Sequence, residues 1–318
     1  MPHPYDVVPL TQEYLEAAVE LFIENYQYEQ EHSPLLPSRV LDEPSWIRGA
    51  LQSKLTNPGV AVVQHNHLLA YMVTGDQFRW KGQQAAIVLE YCHGAVLTGK
   101  RELYQQMYGA VAQVWVNQHT HLHLIRHFAH DAVLQETLYQ LGFGAILAER
   151  LRDFSAVDGR DDVVIHEEQD IGRLTNIQTE HNLYYPNAPI FIQKPSGIEE
   201  VVAELQEHVQ NGDIFLVYEE DHEPCAYMIV GESARDAEGF LLEQTNTAQV
   251  KSAYVRPEIR SKGIGSALLE RAIQWSKHQG YCRLLVEHET ANMSGGNFWG
   301  KYFAPYLYSS MRYIDNAL

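Results

Sequence analysis

The chain of 318 residues is too long for one ordinary core and suits two domains of about 150 residues each. Hydrophobic residues make up 45% and charged residues 20%, and no apolar run approaches the ~20 residues of a membrane span, which excludes low-complexity and membrane-spanning chains. The formal net charge of −18 is spread without a like-charged block, so it opposes binding to a nucleic-acid polyanion and favours a small cationic partner.

The first residues, MPHPYDVVPLTQEYLEAA, lack a basic segment followed by an apolar one, so no secretory signal is read there and a cytoplasmic location is expected. The first strong signal is a hairpin at 57-75, NPGVAVVQHNHLLAYMVTG, two β-branched and aromatic runs around a polar turn. A helix then carries Leu103, Met107, Ala110, Val111 and Val114 at helical period, followed by the strand HLHLI at 121-125. Histidines in 119-127 alternate rather than recur at i, i+4, which predicts a polar strand face and no metal site. The three cysteines, Cys92, Cys225 and Cys282, fall in apolar strand-like runs and are expected to be buried, reduced thiols.

A polar, turn-prone stretch at 155-163 reads as a linker, and the second half then repeats the first. Residues 211-231 form the same kind of hairpin, with Ala226-Tyr227-Met228-Ile229 standing for Ala70-Tyr71-Met72-Val73. A shift of 160 places Trp115 on Trp275 and Leu138-Tyr139 on Phe298-Trp299, so tandem duplication is the reading. The predicted domains are 1-156 and 157-318. Within the second, HNLYYPNAP carries Tyr184 and Tyr185, with Pro186 and Pro189 suited to a rigid turn.

After an alternating strand at 245-255 comes RPEIRSKGIGSALLERA, with Gly263 and Gly265 at the entrance of a helix bearing Ile264, Leu268, Ala272 and Trp275 on one face. Strand, glycine loop and helix start make an anion site: the first helical N–H groups have no intrahelical partner and carry the positive end of the helix dipole. Arg260 and Lys262 add positive charge there. The spacing is neither that of a nucleoside-triphosphate P-loop nor that of a Rossmann fingerprint. It is R-x-x-G-x-G, which resembles the pyrophosphate loop of the GNAT-type N-acetyltransferase superfamily. After the strand CRLLV, Asn292, Gly295, Phe298 and Trp299 resemble that family's N-x-x-A-x-x-F-[YW] helix, with glycine in place of alanine.

The resemblance implies an α+β protein of two tandem GNAT folds, each a mixed, mainly antiparallel sheet flanked by helices. It implies acetyl-CoA as co-substrate, held by Tyr254, Val255, Arg260, Ser261, Lys262, Gly263, Ile264, Gly265, Ser266, Asn292 and Phe298. The Val255 amide is the implied oxyanion donor, and Tyr184 and Tyr185 fall in the region where the family places acceptor contacts, which implies a substrate-side loop there. In the first half the shift of 160 sets Lys100, Leu103 and Gln105 opposite Arg260, Gly263 and Gly265, and Ala132 opposite Asn292. Those side chains would occupy the pyrophosphate space, so the first domain is expected to keep the fold without the cofactor.

The family's usual acid, a tyrosine, is here Trp299, whose indole N–H has no useful acidity. Tyr302, one helical turn on, is the nearest replacement; Tyr306 and Tyr308 read better as last-strand packing. Glu287, His288 and Glu243 are candidate bases, and positioning alone, with no dedicated base, stays open. The expected reaction is transfer of an acetyl group to a primary amine on a small cationic molecule, by direct attack in a ternary complex. The alternatives are a non-catalytic acyl-CoA sensor and an acyl transfer like that of mycothiol synthase. The expected partner is the amine alone, without nucleic acid or membrane, and the sequence specifies no oligomeric state.

Overall fold

The structure, a computed structural model, describes residues 5–157, 162–233, 241 and 246–315. These fall into two compact units: residues 5–148, 241 and 305–315 in unit 1, and residues 149–157, 162–233 and 246–304 in unit 2. Among the described residues no helix is long and apolar enough to cross a membrane.

Unit 1 runs β1 (Asp6–Pro9), α1 (Leu15–His32), α2 (Arg39–Asp42), α3 (Pro44–Lys54), β2 (Gly59–Gln64), β3 (His67–Val73), β4 (Asp76–Trp80), β5 (Gln83–Val88), β6 (His93–Ala95), α4 (Lys100–Asn117), β7 (Leu122–Phe128), α5 (Ala132–Gln140) and the first part of β8 (Gly144–Arg152). One sheet has the order β1-β2-β3-β6, all antiparallel. In the other, β5 lies antiparallel to β4 and parallel to β7.

Unit 2 runs β9 (His166–Glu168), α6 (Thr175–Tyr184), α7 (Ile198–Gln210), β10 (Ile214–Glu220), β11 (Glu223–Glu232), β12 (Thr247–Val255), α8 (Ile264–His278), β13 (Arg283–Glu289), α9 (Met293–Tyr302) and the opening of β14 (Ala304–Tyr313). Strands β9 to β12 are antiparallel neighbours, and β13 pairs parallel with β12. Helix α8 buries Ile264, Leu268, Leu269, Ala272 and Ile273 on one face of the sheet, against Met228, Val230, Val250 and Leu284. Each such large apolar side chain contributes about 1.5–3 kcal/mol. On the opposite face Val201 and Leu205 of α7 and Ile177 of α6 cover Phe215, Tyr227 and Tyr254.

The repeat survives in fine detail. The two hairpins turn on His65-Asn66 (φ 50°, 66°) and Asp221-His222 (φ 52°, 67°). Two successive positive φ values are the backbone of a type I′ turn, whose twist matches the flanking strands. Tyr71 and Tyr227 are both buried, and Trp115 is fully buried in α4.

Several expectations need correction. The units differ from the division at 1-156 and 157-318 in three segments: the chain from Glu149 on, where β8 neighbours β13, is in unit 2, Leu241 is in unit 1, and so is β14 from Pro305, which pairs with β7 from Leu307↔Phe128 to Tyr313↔Leu122. Tyr306 and Tyr308 therefore pack in unit 1, where the Tyr306 hydroxyl accepts from the Leu35 amide at 3.1 Å. The polar strand face expected around 119-127 is instead β7, buried at all seven positions. A strand with neighbours on both edges and cover on both faces leaves its histidines no solvent, and each finds protein partners. Cys92 and Cys225 are buried as expected, whereas Cys282 precedes β13 and is exposed.

Candidate active site

A cleft of about 650 Å³ opens in unit 2 between β12, β13, the end of α6 and the starts of α8 and α9. Its cause is visible in the register. β12 and β13 pair only from Thr247↔Arg283 to Val250↔Val286, and beyond that point they part. Lys251 is an extra residue in β12, because Val250 faces Val230 while Ser252 faces Ile229; a bulge there bends the strand away from its neighbour. The Arg256 amide donates to the Cys225 carbonyl at 3.1 Å, so the directly opposed residues 256, 254 and 252 bond to β11. By alternation the backbone groups of Ala253 and Val255 face the other edge, into the parting. The Val255 carbonyl there accepts from Arg260 Nε at 2.9 Å.

Helix α8 starts at the same opening. Its N-cap, Gly263, has φ +86°, a left-handed backbone that side chains rarely take. The helix ladder begins with the Ala267 amide donating to the Gly263 carbonyl at 3.0 Å, so the amides of Ile264, Gly265 and Ser266 precede it as anion donors. A Cβ on Gly265 would stand 3.1 Å from the Phe298 ring, so this glycine is what lets Phe298 lie across the helix start. Lys262 is exposed beside it. Together these residues fit a pyrophosphate.

Two expected cofactor contacts carry other work. Arg260 turns back: besides its bond to Val255, its guanidinium sits 5.2 Å from the Tyr184 ring and 5.7 Å from that of Tyr254, clamping α6 to β12. Asn292 is the N-cap of α9, its Oδ1 accepting from the Gly295 amide at 3.0 Å. Asn292→Ala is expected to lower the melting temperature by removing this cap, worth about 1 kcal/mol, whatever it does to turnover.

The helix caps also correct the alignment of the halves. Gly99 is the N-cap of α4 with φ +72°, so it stands opposite Gly263, and the first half has not lost both glycines. The residue opposite Asn292 is Asp131, whose side chain accepts from the Leu134 amide as the N-cap of α5. What closes the first cradle is Lys100, paired through Nζ with Asp131 Oδ2 at 2.6 Å, both side chains largely buried. His93 adds a plug between β6 and β7 by donating to the Arg126 carbonyl at 2.8 Å. A shift of 160 taken from Trp115 misses this because α4 is three residues longer than α8.

Of the expected acid and bases, Trp299 is buried against Phe298 and Phe303. Tyr302 is half-buried on the cleft, its ring 5.1 Å from Phe298, and its hydroxyl oxygen accepts from Lys301 Nζ at 2.9 Å. That leaves the Tyr302 proton for donation. Glu287 is exposed on the wall. His288 is occupied: Nδ1 donates to the Glu289 carbonyl at 3.0 Å, and Nε2 accepts from Arg150 Nε at 3.0 Å. Burial, helped by the Arg150 charge, holds it below the ordinary histidine range, so it is a structural histidine rather than a base. Glu243 lies outside the described residues.

The far end of the cleft is carboxylate-rich, with Glu204, Glu287 and Glu289 on its wall beside Tyr184 and Tyr185. Burial, then the Glu289 carboxylate, raises the Tyr185 hydroxyl above its ordinary range. Lys194 Nζ lies 4.0 Å over the Tyr185 ring. His181, Tyr227, Ser252, Lys194, Glu204 and Glu289 were not singled out from sequence; only the tyrosine pair was. They come from five elements and one loop, and no local spacing joins them. His166, Glu168 and Glu219 also lie close together, yet Arg173 already bridges the two carboxylates.

A parallel strand pair that parts midway, with a glycine-capped helix starting at the opening, is the layout of an acetyltransferase of the GNAT fold. The profile of the "Acetyltransferase (GNAT) family" matches residues 176–303, so this part of the chain is a GNAT acetyltransferase domain. Streptothricin acetyltransferase A of Bacillus subtilis (strain 168) is 29% identical over 131 residues, 37% of this chain and 75% of its own. A GCN5-related N-acetyltransferase from Sphaerobacter thermophilus has a similar fold, with a TM-score of 0.57 at 12% identity over 100% of this chain and 98% of that one. A GCN5-related glucosamine N-acetyltransferase region in a fungal multi-domain GH3 beta-N-acetylglucosaminidase gives 0.53 at 11% identity, over 98% of this chain and 38% of that one.

Proposed function

We propose that unit 2 transfers the acetyl group of acetyl-CoA to the primary amine of a small cationic molecule by direct attack within a ternary complex. The observation that carries this is the polarity of the one cleft. Helix-start amides and Lys262 suit phosphate at one end, Glu204, Glu287 and Glu289 suit an ammonium at the other, and the backbone of Ala253 and Val255 faces the parting between them. Acetyl-CoA supplies the activated thioester when bound. Tyr254 and Val255 border its acyl end in this reading, Arg260 fixes that end of β12, and Ser261 to Ser266 hold the phosphates, with Asn292 and Phe298 beside them.

Glu287 takes a proton from the acceptor ammonium, directly or through water, and the Val255 N–H stabilises the developing oxyanion. The Tyr302 hydroxyl gives its proton to the departing sulfur and regains one as the nitrogen sheds its second proton on becoming the amide. Tyr302→Phe is then expected to lower kcat about a hundredfold without moving the acetyl-CoA KM, as general acid catalysis contributes at least that much. Unchanged turnover removes Tyr302 from the mechanism.

A second reading, a non-catalytic acyl-CoA sensor, draws support from Trp299 at the usual acid position. Thiol release with spermidine, lysine amide, an amino-terminal peptide and streptothricin separates the two. The acetyltransferase reading expects release with one amine at least; tight acetyl-CoA binding with silence across the panel favours the sensor.

A further inference from the structure

We infer that His181 Nε2 is the hydrogen-bond acceptor that holds the acceptor's amine N–H in the cleft, an assignment that rests on the acetyl-transfer reading above. It follows from a buried chain of side chains whose donors and acceptors are all fixed from one end. Asn182 Nδ2 faces two acceptors, the Pro195 carbonyl at 2.7 Å and Glu204 Oε2 at 3.0 Å, so the orientation of its amide has no alternative. Its Oδ1 must then accept from Gln178 Nε2, at 3.4 Å. That turns Gln178 Oε1 toward Tyr227, whose hydroxyl donates its single proton there.

With its proton committed, the Tyr227 oxygen can only accept. His181 Nδ1, 2.6 Å away, is therefore the protonated nitrogen. Nε2 is left with a lone pair and has no protein partner among the described residues, on a ring that lines the cleft. The ring has little freedom, being stacked on Tyr254 at 5.0 Å and packed against Tyr185 at 5.3 Å.

Gln178, Asn182 and Tyr227 are each 1% exposed and His181 is 6% exposed. A chain of polar groups this deep is costly unless each is satisfied, and every member is satisfied except the end that faces the cleft. Burial, together with the charges of Lys194 and Arg260, pushes the His181 imidazolium down to about 3. The ring therefore stays neutral and offers an acceptor rather than a cation to an incoming amine. Ser252 Oγ, 3.1 Å from the Tyr227 oxygen, ties the chain to the bulged part of β12 where that strand leaves its neighbour.

The test combines a spectrum with kinetics on the full chain. In 15N-histidine-labelled protein, long-range proton–nitrogen correlations are expected to show His181 as the Nδ1–H tautomer, with its Nε2 resonance displaced on adding spermidine. An Nε2–H tautomer, or a resonance that spermidine leaves in place, overturns the assignment. His181→Ala is expected to raise the acceptor KM at least about tenfold while the acetyl-CoA KM stays within about twofold. Tyr227→Phe keeps the ring but removes the oxygen that fixes its tautomer, and should raise the acceptor KM in the same direction. An unchanged acceptor KM in both variants overturns the role. If the wild-type chain acetylates no amine at all, the acetyl-transfer reading falls by itself, and the response of Nε2 to spermidine still decides His181.

Discussion

Gly265→Leu is expected to weaken acetyl-CoA binding at least about a hundredfold while leaving unit 2 folded. The reason is local. The amides of Ile264, Gly265 and Ser266 precede the first intrahelical bond of α8, and each charge-assisted bond to a phosphate is worth about 1.5–3 kcal/mol, so losing two accounts for the factor. A leucine side chain begins 3.1 Å from the Phe298 ring and must either displace that ring or project over the amides. Titration calorimetry reads the affinity, and the far-ultraviolet melt reads the fold. Gly99→Leu is the control, because it strains a helix start of the same left-handed kind in unit 1, where Lys100 and Asp131 already pair. It should leave acetyl-CoA affinity unchanged at one molecule per chain. A Gly265→Leu chain that binds like the wild type, or a wild-type chain that binds two, ends the assignment of the cofactor to α8 alone.

Legibility in the sequence tracked distance along the chain. The hairpins, α4, α8 and α9 were readable because apolar period, turn residues and caps are local signals, and the glycine pair marked the start of α8 for the same reason. Arg260 illustrates the limit: its guanidinium goes to Tyr184 and Tyr254, which only folding brings together. The exchange of β14 into unit 1 depends on a pairing with β7 across almost two hundred residues, and no pattern within β14 declares its partner. The carboxylate-rich end of the cleft was legible only at Tyr184, Tyr185 and Glu287. His181, one turn earlier on α6, carries no sequence mark, because its role arises from Tyr227 on β11 and Gln178 on its own helix.

Lowering the pH from 7 to 4 is expected to destabilise unit 1 by several kcal/mol, through three histidines held neutral in its interior. Each is locked as one tautomer. His93 donates from Nε2 to the Arg126 carbonyl and accepts from the Tyr104 hydroxyl at 2.7 Å; His123 donates to the Thr120 carbonyl at 3.0 Å and accepts from Tyr108 at 2.9 Å. His127 donates to the Phe128 carbonyl at 3.2 Å and accepts from Ser310 at 3.0 Å. A second ring proton would face a hydroxyl now placed as donor, and burial pushes all three down to about 4 from an ordinary 6.5. Their folded values lie below their unfolded ones. The unfolded chain therefore binds the extra protons first as pH falls through 6.5, and stability is lost until about pH 4, where the folded forms titrate too. Each proton of difference changes stability by about 1.4 kcal/mol per pH unit. Glu29 opposes this at the acid end, since burial raises its carboxyl in the fold. Urea unfolding at a series of pH values should show a midpoint falling steeply between pH 6.5 and 4.5 at constant m. His123→Gln and His127→Gln should each flatten that slope by about one proton. A midpoint independent of pH across this window would mean that the three rings take up protons without unfolding, contrary to the tautomers their partners impose.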